Sequence, residues 1–166
     1  CKKLKTVVFS GENCNIIISD RAFRNCNSLT DIKFPENCDN ITIGKNAFEN
    51  TGISELSLNY PSEIGSSAFS GCGSLKTVKL NDANVSNRAF MDCSSLSEMT
   101  FSGNTVLDDL SVYGCASLEN IVFNNCKLTS YNAFRDCPKL YTIDGKTVFD
   151  TTKDDFIPLY KDFIFS

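Results

Sequence analysis

The chain has 166 residues, of which 42% are hydrophobic and 22% are charged. This length is enough for one domain with a core, and the composition is too apolar for a disordered chain. The formal net charge of −4 argues against a nucleic-acid partner, which needs a basic patch on the protein. No apolar run approaches the ~20 residues that span a bilayer, so we expect no direct membrane insertion by this segment.

Histidine is absent from the chain, and cysteine occurs nine times. Without histidine there can be no Ser–His or Cys–His catalysis and no histidine metal site. The cysteines also lack the CxxC spacing that is typical of zinc sites. The sequence therefore predicts no catalytic residue, no metal and no cofactor, and a protein that is not an enzyme.

A repeat of about 22 residues runs along the chain. Each copy carries a marker, the second residue of an Ala-Phe pair or of one Ser-Val pair, and the markers are Phe23, Phe48, Phe69, Phe90, Val112 and Phe134. A cysteine follows three residues after each marker, except in the second copy, where Thr51 stands. A leucine and two alternating apolar residues come next, as in Leu75, Val78 and Leu80.

The spacing of these apolar residues predicts a leucine-rich repeat solenoid. The alternating pair points to one side of a short strand, and stacked repeats pair such strands in a parallel sheet. The marker segment suits a short helical or 3₁₀ turn on the opposite face. A further apolar column lies five residues before the marker at Ile18, Ile43, Ile64, Val85 and Leu107. The second repeat is one residue short, which places Ile53 at the leucine position and Leu56 and Leu58 at the two strand positions.

We expect this solenoid to cover residues 1–143, with about six to seven repeats, of which the first is truncated. Because Cys1 already falls inside a repeat, we also expect further repeats of the same chain beyond both ends. Residues 144–166 depart from the pattern. A DG turn signal and the apolar segments KTVF and FIPLY predict a β-hairpin there, which either caps the stack or bridges to further repeats.

The repeats resemble those of the BspA-like leucine-rich repeat family, which read I-x-x-x-A-F-x-x-C-x-x-L-x-x-I-x-L-P. The core AF-x-x-C-x-x-L occurs four times, and once more with Ser and Val in place of Ala and Phe. The resemblance implies a non-enzymatic, adhesin-like module of a cell-surface or secreted protein, with a protein partner. The alternative is an intracellular, cytoplasmic or cytoskeletal scaffold subunit of a larger assembly.

Six cysteines share the position three residues before the repeat leucine: Cys1, Cys26, Cys72, Cys93, Cys115 and Cys137. We call them the cysteine column. Thr51 occupies the same position, is similar in size and cannot form a bridge, so the column predicts small packed thiols. A disulfide between neighbouring coils is geometrically possible as an alternative.

Three cysteines, Cys14, Cys38 and Cys126, lie outside the cysteine column. Cys14 and Cys38 belong to neighbouring repeats and should lie close together on one side wall. They form either a disulfide or two packed thiols.

Two kinds of surface site are predicted. The exposed strand face of a leucine-rich solenoid offers an extended binding surface, although an ordinary solvated sheet face is the alternative. Its candidate protein-binding residues are Lys5, Asp31, Lys33, Glu55, Lys76, Lys79, Glu98 and Glu119. Asn40 and Asn84 begin sequons and are candidate glycosylation sites if the protein enters a eukaryotic secretory route.

Overall fold

The computed structural model describes residues 1–124, 130, 132–140, 142–143 and 146–147. Short strands alternate with turns throughout these residues. In chain order the strands are β1 (Thr6–Val8), β2 (Cys14–Ile18), β3 (Asp31–Lys33), β4 (Cys38–Ile43), β5 (Glu55–Leu58), β6 (Ser62–Ile64), β7 (Thr77–Asn81), β8 (Ala83–Val85), β9 (Glu98–Ser102), β10 (Val106–Leu107), β11 (Asn120–Asn124), β12 (Thr142–Ile143) and β13 (Lys146–Thr147).

Two walls of the solenoid are parallel sheets. The first wall contains β1 paired with β3, and a larger sheet in which β5, β7, β9, β11 and β12 follow one another. Equivalent residues of successive coils face each other, so that Leu56 pairs with Val78 and Val78 with Met99. The leucine-rich solenoid predicted from the repeat period is therefore confirmed.

The second wall is a five-stranded sheet in the order β10-β8-β6-β4-β2. The sequence predicted its apolar column but not that the column belongs to a sheet. Ile43, Ile64 and Val85 pair in register across this wall and are buried. Their neighbours Thr42, Glu63 and Asn84 face outward, which is the alternation of a sheet with one buried face.

The third wall contains the marker segments, and we call it the turn wall. Helical or 3₁₀ turns were predicted for these segments, and for the described residues that prediction was wrong. Two residues of each of the first five segments have left-handed backbone conformation, for example Ser67 with φ 56° and Gly71 with φ 69°. Such residues interrupt the succession of right-handed residues that a helix requires. The same conformation occurs directly before the marker pair at Arg21, Asn46, Arg88 and Leu110. It also occurs directly before the column position of a coil at Asn25, Asn50, Asp92, Gly114 and Asp136.

Backbone hydrogen bonds of the turn wall alternate between the segment's own coil and the next coil. Phe48 N–H donates to Ala68 O of the next coil at 2.7 Å, whereas Thr51 N–H donates to Phe48 O of its own coil at 3.2 Å. Phe69 N–H continues the inter-coil series by donating to Ala89 O at 2.8 Å. The turn wall therefore binds adjacent coils through main-chain atoms, as the two sheets do.

The core between the walls is a set of side-chain stacks. The rings of Phe23, Phe48, Phe69 and Phe90 stack with centroid separations of 5.1, 5.2 and 5.3 Å. Val112 continues this column in the next coil and is fully buried. Apolar side chains of the first coil, such as Val7 and Phe9, are only partly buried against this core.

At the C-terminal end, β13 pairs antiparallel with β12, with Ile143 opposite Lys146. Most of the predicted hairpin over residues 144–166 lies outside the described residues, as does Cys126. The domain boundary at residue 143 therefore stays a prediction.

We expect Phe69→Ala to destabilise the chain by about 3–5 kcal/mol, because it removes a fully buried ring from the middle of the stack and leaves a cavity. Urea unfolding followed by circular dichroism measures the change. Val8→Ala is the control, since Val8 is 63% exposed and should change stability by less than about 0.5 kcal/mol. Equal losses in both variants would contradict the stacked core.

Candidate functional site

Two rows of outward-facing side chains cross the first wall. In one row Glu55 pairs with Thr77, Thr77 with Glu98, and Glu98 with Asn120. Parallel strands bring such residues to a spacing of ~4.8 Å. The second row contains Ser57, Lys79, Thr100 and Val122. The rows therefore form an ordered surface of mixed charge.

The predicted binding residues divide between strands and the residues before them. Asp31, Lys33, Glu55, Lys79 and Glu98 lie on strands of the first wall, and all except the half-buried Asp31 are exposed. The other three residues are exposed and lie directly before a strand; they are Lys5, Lys76 and Glu119. Whether these residues bind a partner stays a prediction.

The charged groups at the N-terminal part of this wall are loosely arranged. Lys33 Nζ lies 3.8 Å from Asp31 Oδ2, and the two side chains are 64% and 45% exposed. A surface ion pair of this length contributes little to stability because water and salt screen it. Both charges thus remain accessible to a partner.

A cleft of about 260 Å³ opens on the first wall between β3 and β5, where the described strands are not paired with each other. Phe34, Leu56 and Tyr60 provide apolar lining, and Leu56 and Tyr60 are buried. The exposed carboxylates Glu36 and Glu55 also line it. We call this feature the interstrand cleft.

The shortened second repeat lies next to this interruption. Gly52 packs so closely on the preceding coil that an added Cβ would lie 2.8 Å from Asn27 O. Only glycine fits such an approach without a shift of the backbone. The sequence shows that the second repeat is one residue short. It did not predict the interruption of the sheet, because the interruption depends on how two coils pack against each other.

Tyr60 connects the two sides of the interstrand cleft. Its hydroxyl donates to Pro35 O at 3.1 Å, and Pro35 follows β3 while Tyr60 follows β5. Burial, and then the nearby thiols of Cys38 and Cys14, raise the pKa of Tyr60 to about 12. Sequence analysis did not identify Tyr60 as a site residue, because its partner is a main-chain carbonyl in the preceding coil.

The cysteine column is a series of hydrogen-bond donors as well as a packed corner. Four of its thiols donate to the marker carbonyl of the preceding coil: Cys72 to Phe48 at 3.1 Å, and Cys93 to Phe69, Cys115 to Phe90 and Cys137 to Val112 at 3.2 Å. Thr51 is a donor as well, but to the marker carbonyl of its own coil: its hydroxyl donates to Phe48 O at 2.9 Å. The sequence predicted the similar size but not the shared donor role.

The thiols of the column differ in their exposure and in their pKa. Cys26 is buried in the first complete coil, whereas Cys1 is exposed. Burial raises the pKa of Cys72. A hydrogen bond with Cys115, together with burial, raises the pKa of Cys137 far above its usual range. Buried neutral thiols that already donate hydrogen bonds are poor nucleophiles.

Cys14 and Cys38 meet on the second wall, as predicted from their spacing. They are paired residues of β2 and β4, and their Sγ atoms lie 3.5 Å apart. The disulfide between them stays a prediction.

The two sequon asparagines lie on the second wall and differ in exposure. Asn40 of β4 is half-buried opposite Asn15, whereas Asn84 of β8 is exposed and donates to Glu63 Oε1 at 2.7 Å. Both remain candidate glycosylation sites.

The described part of the chain contains no helix long and apolar enough to cross a membrane. Within the same residues, no three His, Cys, Asp or Glu side chains are grouped as a metal site would require.

The model of the BspA type leucine rich repeat region matches six copies over residues 1–102 and 41–156. These matches span most of the chain, which therefore belongs to this family, as the repeat motif predicted. No curated protein sequence matches the chain.

A crystal structure of a leucine-rich repeat protein from Bacteroides ovatus shares the fold. It is 24% identical, has a TM-score of 0.55 and covers 90% of this chain. This chain spans only 44% of the length of that protein. The likeness therefore supports the fold alone.

We expect Cys93→Ala to destabilise the chain by about 1–2 kcal/mol, because Phe69 O loses its thiol donor and a small cavity is left. Cys93→Thr should cost less, since Thr51 shows that a hydroxyl suits this column. Urea midpoints of the two variants measure the difference. A threonine variant that is no more stable than the alanine variant would contradict the donor role of this position.

Proposed function

We propose that the chain is a non-enzymatic protein-binding module of a cell-surface or secreted protein, and that the first wall is its contact surface. The observation that carries this proposal is the combination of two ordered, exposed rows with an open cleft on the same wall. Solenoids bind partners over such extended surfaces, and family membership favours this reading.

The rows supply charge complementarity. Glu55, Lys79 and Glu98 alternate in sign across adjacent strands and are exposed. Regularly spaced charges of both signs select a partner whose own charges match, and they affect the rate and specificity of association more than its strength. This surface suits a folded or extended protein and not a polyanion.

The interstrand cleft supplies an anchor. Its apolar lining at Phe34 and Leu56 can receive an aliphatic stem, while Glu36 and Glu55 offer negative charge at the same place. A lysine or arginine side chain combines these two properties. Buried anchor side chains of this kind provide most of the binding energy in many protein interfaces.

An adhesin-like role at the cell surface agrees with the resemblance described above. The scaffold alternative uses the same solenoid as a rigid spacer and does not require the first wall to bind an external protein. The two functions therefore differ in what the first wall contacts and in which compartment the chain occupies.

We expect Glu55→Lys/Glu98→Lys to weaken adhesion about tenfold or more, because it reverses the charge of one first-wall row. Binding is measured by biolayer interferometry on immobilised fibronectin, laminin and collagen at physiological salt. The matched control is Asp39→Lys/Glu63→Lys, which makes the same charge change at exposed residues of the second wall. Equal loss in both variants, or no binding by the unmodified chain, would contradict the proposed surface role.

Location is tested on protein purified from its native source. If the chain enters a eukaryotic secretory route, the intact mass should fall after glycosidase treatment, with Asn84 modified more completely than the half-buried Asn40. Surface labelling of intact cells with a membrane-impermeant amine reagent provides an independent readout. A sugar-free chain that is labelled only after lysis would favour the intracellular scaffold.

A further inference from the structure

Cys14 and Cys38 have the geometry of a bond across two strands. They are the first residues of β2 and β4 and face each other in a parallel pair. Strands pair at a spacing of about 4.8 Å, which lies within the Cα separations of about 4.4–6.8 Å found for disulfides. The Sγ atoms are already in contact at 3.5 Å, and small rotations of the two side chains would bring them to bonding distance.

The surroundings leave the pair free to react. Both residues are half-buried, so a small reagent can reach them. Gly11 keeps space beside the first thiol, since a Cβ at Gly11 would lie 3.1 Å from Cys14 Sγ. The register shifts by one residue directly after Cys14, so the pair lies where the hydrogen-bond ladder of the two strands is interrupted.

The cysteine column differs in each of these respects. Cys72, Cys93, Cys115 and Cys137 are fully buried and donate hydrogen bonds to main-chain carbonyls of the preceding coil. Bridging two of them would break these hydrogen bonds in the centre of the core. Oxidation of the column therefore requires local unfolding, whereas oxidation of the pair does not.

We propose that Cys14 and Cys38 form a disulfide that joins the first two coils, while the buried column thiols stay reduced in the same molecule. This proposal does not depend on the identity of the binding partner. It makes the second wall a site of covalent modification next to the interstrand cleft on the first wall.

The oxidant is a small disulfide such as oxidised glutathione. A thiolate of the pair attacks it, a mixed disulfide forms, and one glutathione leaves. The second cysteine then displaces the other glutathione and closes the Cys14–Cys38 bond. The two electrons lost by the cysteines reduce one glutathione disulfide, and the two thiol protons end on the two glutathiones.

The pair also interacts electrostatically with Tyr60. The charges of both thiolates help to raise the pKa of Tyr60, and Tyr60 donates a hydrogen bond to Pro35 at the interstrand cleft. A disulfide carries no charge, so oxidation should lower the pKa of Tyr60 below its value of about 12 in the reduced chain. Oxidation of the pair leaves the charges of the cleft carboxylates Glu36 and Glu55 unchanged.

Burial, the hydrogen bond with Cys14, and the charges of Cys14 and Asp39 raise the pKa of Cys38 to about 11. At neutral pH the Cys38 thiolate is scarce, so the closing step should quicken as pH rises toward that value.

The test uses the full chain incubated with a reduced and oxidised glutathione buffer at pH 8, then unfolded and alkylated. We expect one disulfide and seven alkylated cysteines, which is the total of nine less the pair. Peptide mass mapping should place the bond between Cys14 and Cys38. Nine alkylated cysteines, or a bond that involves Cys1, Cys126 or the column, would overturn the proposal.

Cys14→Ser/Cys38→Ser is the variant and Cys93→Thr is the matched control, since Cys93 lies in the column. The variant should show no disulfide, and the control should keep it. Thermolysin should cleave the oxidised unmodified chain about tenfold or more slowly than the reduced chain, because the bond closes a loop across the first two coils. The variant should show no such difference.

A pH jump with absorbance at 295 nm reads the coupling to Tyr60 before the chain unfolds, and Tyr60→Phe identifies its signal. We expect Tyr60 to ionise at lower pH in the oxidised chain. The same pKa in both oxidation states would contradict the proposed electrostatic coupling between the pair and Tyr60, even if the bond forms. Loss of matrix binding with an intact disulfide would instead affect the proposed function alone.

Discussion

Main-chain hydrogen bonds between coils are the interaction on which the remaining structure depends. Both sheets, and alternate groups of the turn wall, offer their backbone groups to the next coil, and a single coil has no internal partner for these groups. In the turn wall this arrangement requires left-handed residues on either side of the marker, because they direct alternate N–H groups outward. Stacked phenylalanine rings and thiol hydrogen bonds follow, since equivalent atoms of successive coils are held one above another.

Differences in coil length are absorbed where they disturb this arrangement least. The spacing between Phe23 and Phe48 is 25 residues, against 21 between Phe48 and Phe69. One additional residue, Asp39, is accommodated as a register shift after Cys38 on the second wall. The missing residue near Gly52 instead coincides with the interruption between β3 and β5. The turn wall keeps its inter-coil hydrogen bonds at both places.

The apolar columns could be predicted from the sequence because each column repeats at a fixed distance from the marker. The left-handed turns could not, since residues such as Arg88 and Leu110 do not favour positive φ and adopt it here through their neighbours. The donor role of the thiols could not be predicted either. Cysteine and threonine are similar in volume as well as in hydrogen bonding, so a threonine in the column does not show which property matters. Among the site residues, strand-face exposure followed from alternation, whereas the interstrand cleft and Tyr60 depend on contacts between coils.

The bonds of the turn wall join main-chain atoms, so they do not depend on which side chains a coil carries at its exposed positions. Phe48 and Phe69 make the same inter-coil bond although Asn46 and Ser67 differ before them. A coil can therefore be duplicated, deleted or exchanged by recombination while the new junction keeps the same backbone partners. Inheritance in whole coils lets the outward rows diversify freely, and it offers protein engineers units that can be shuffled without redesign of the core.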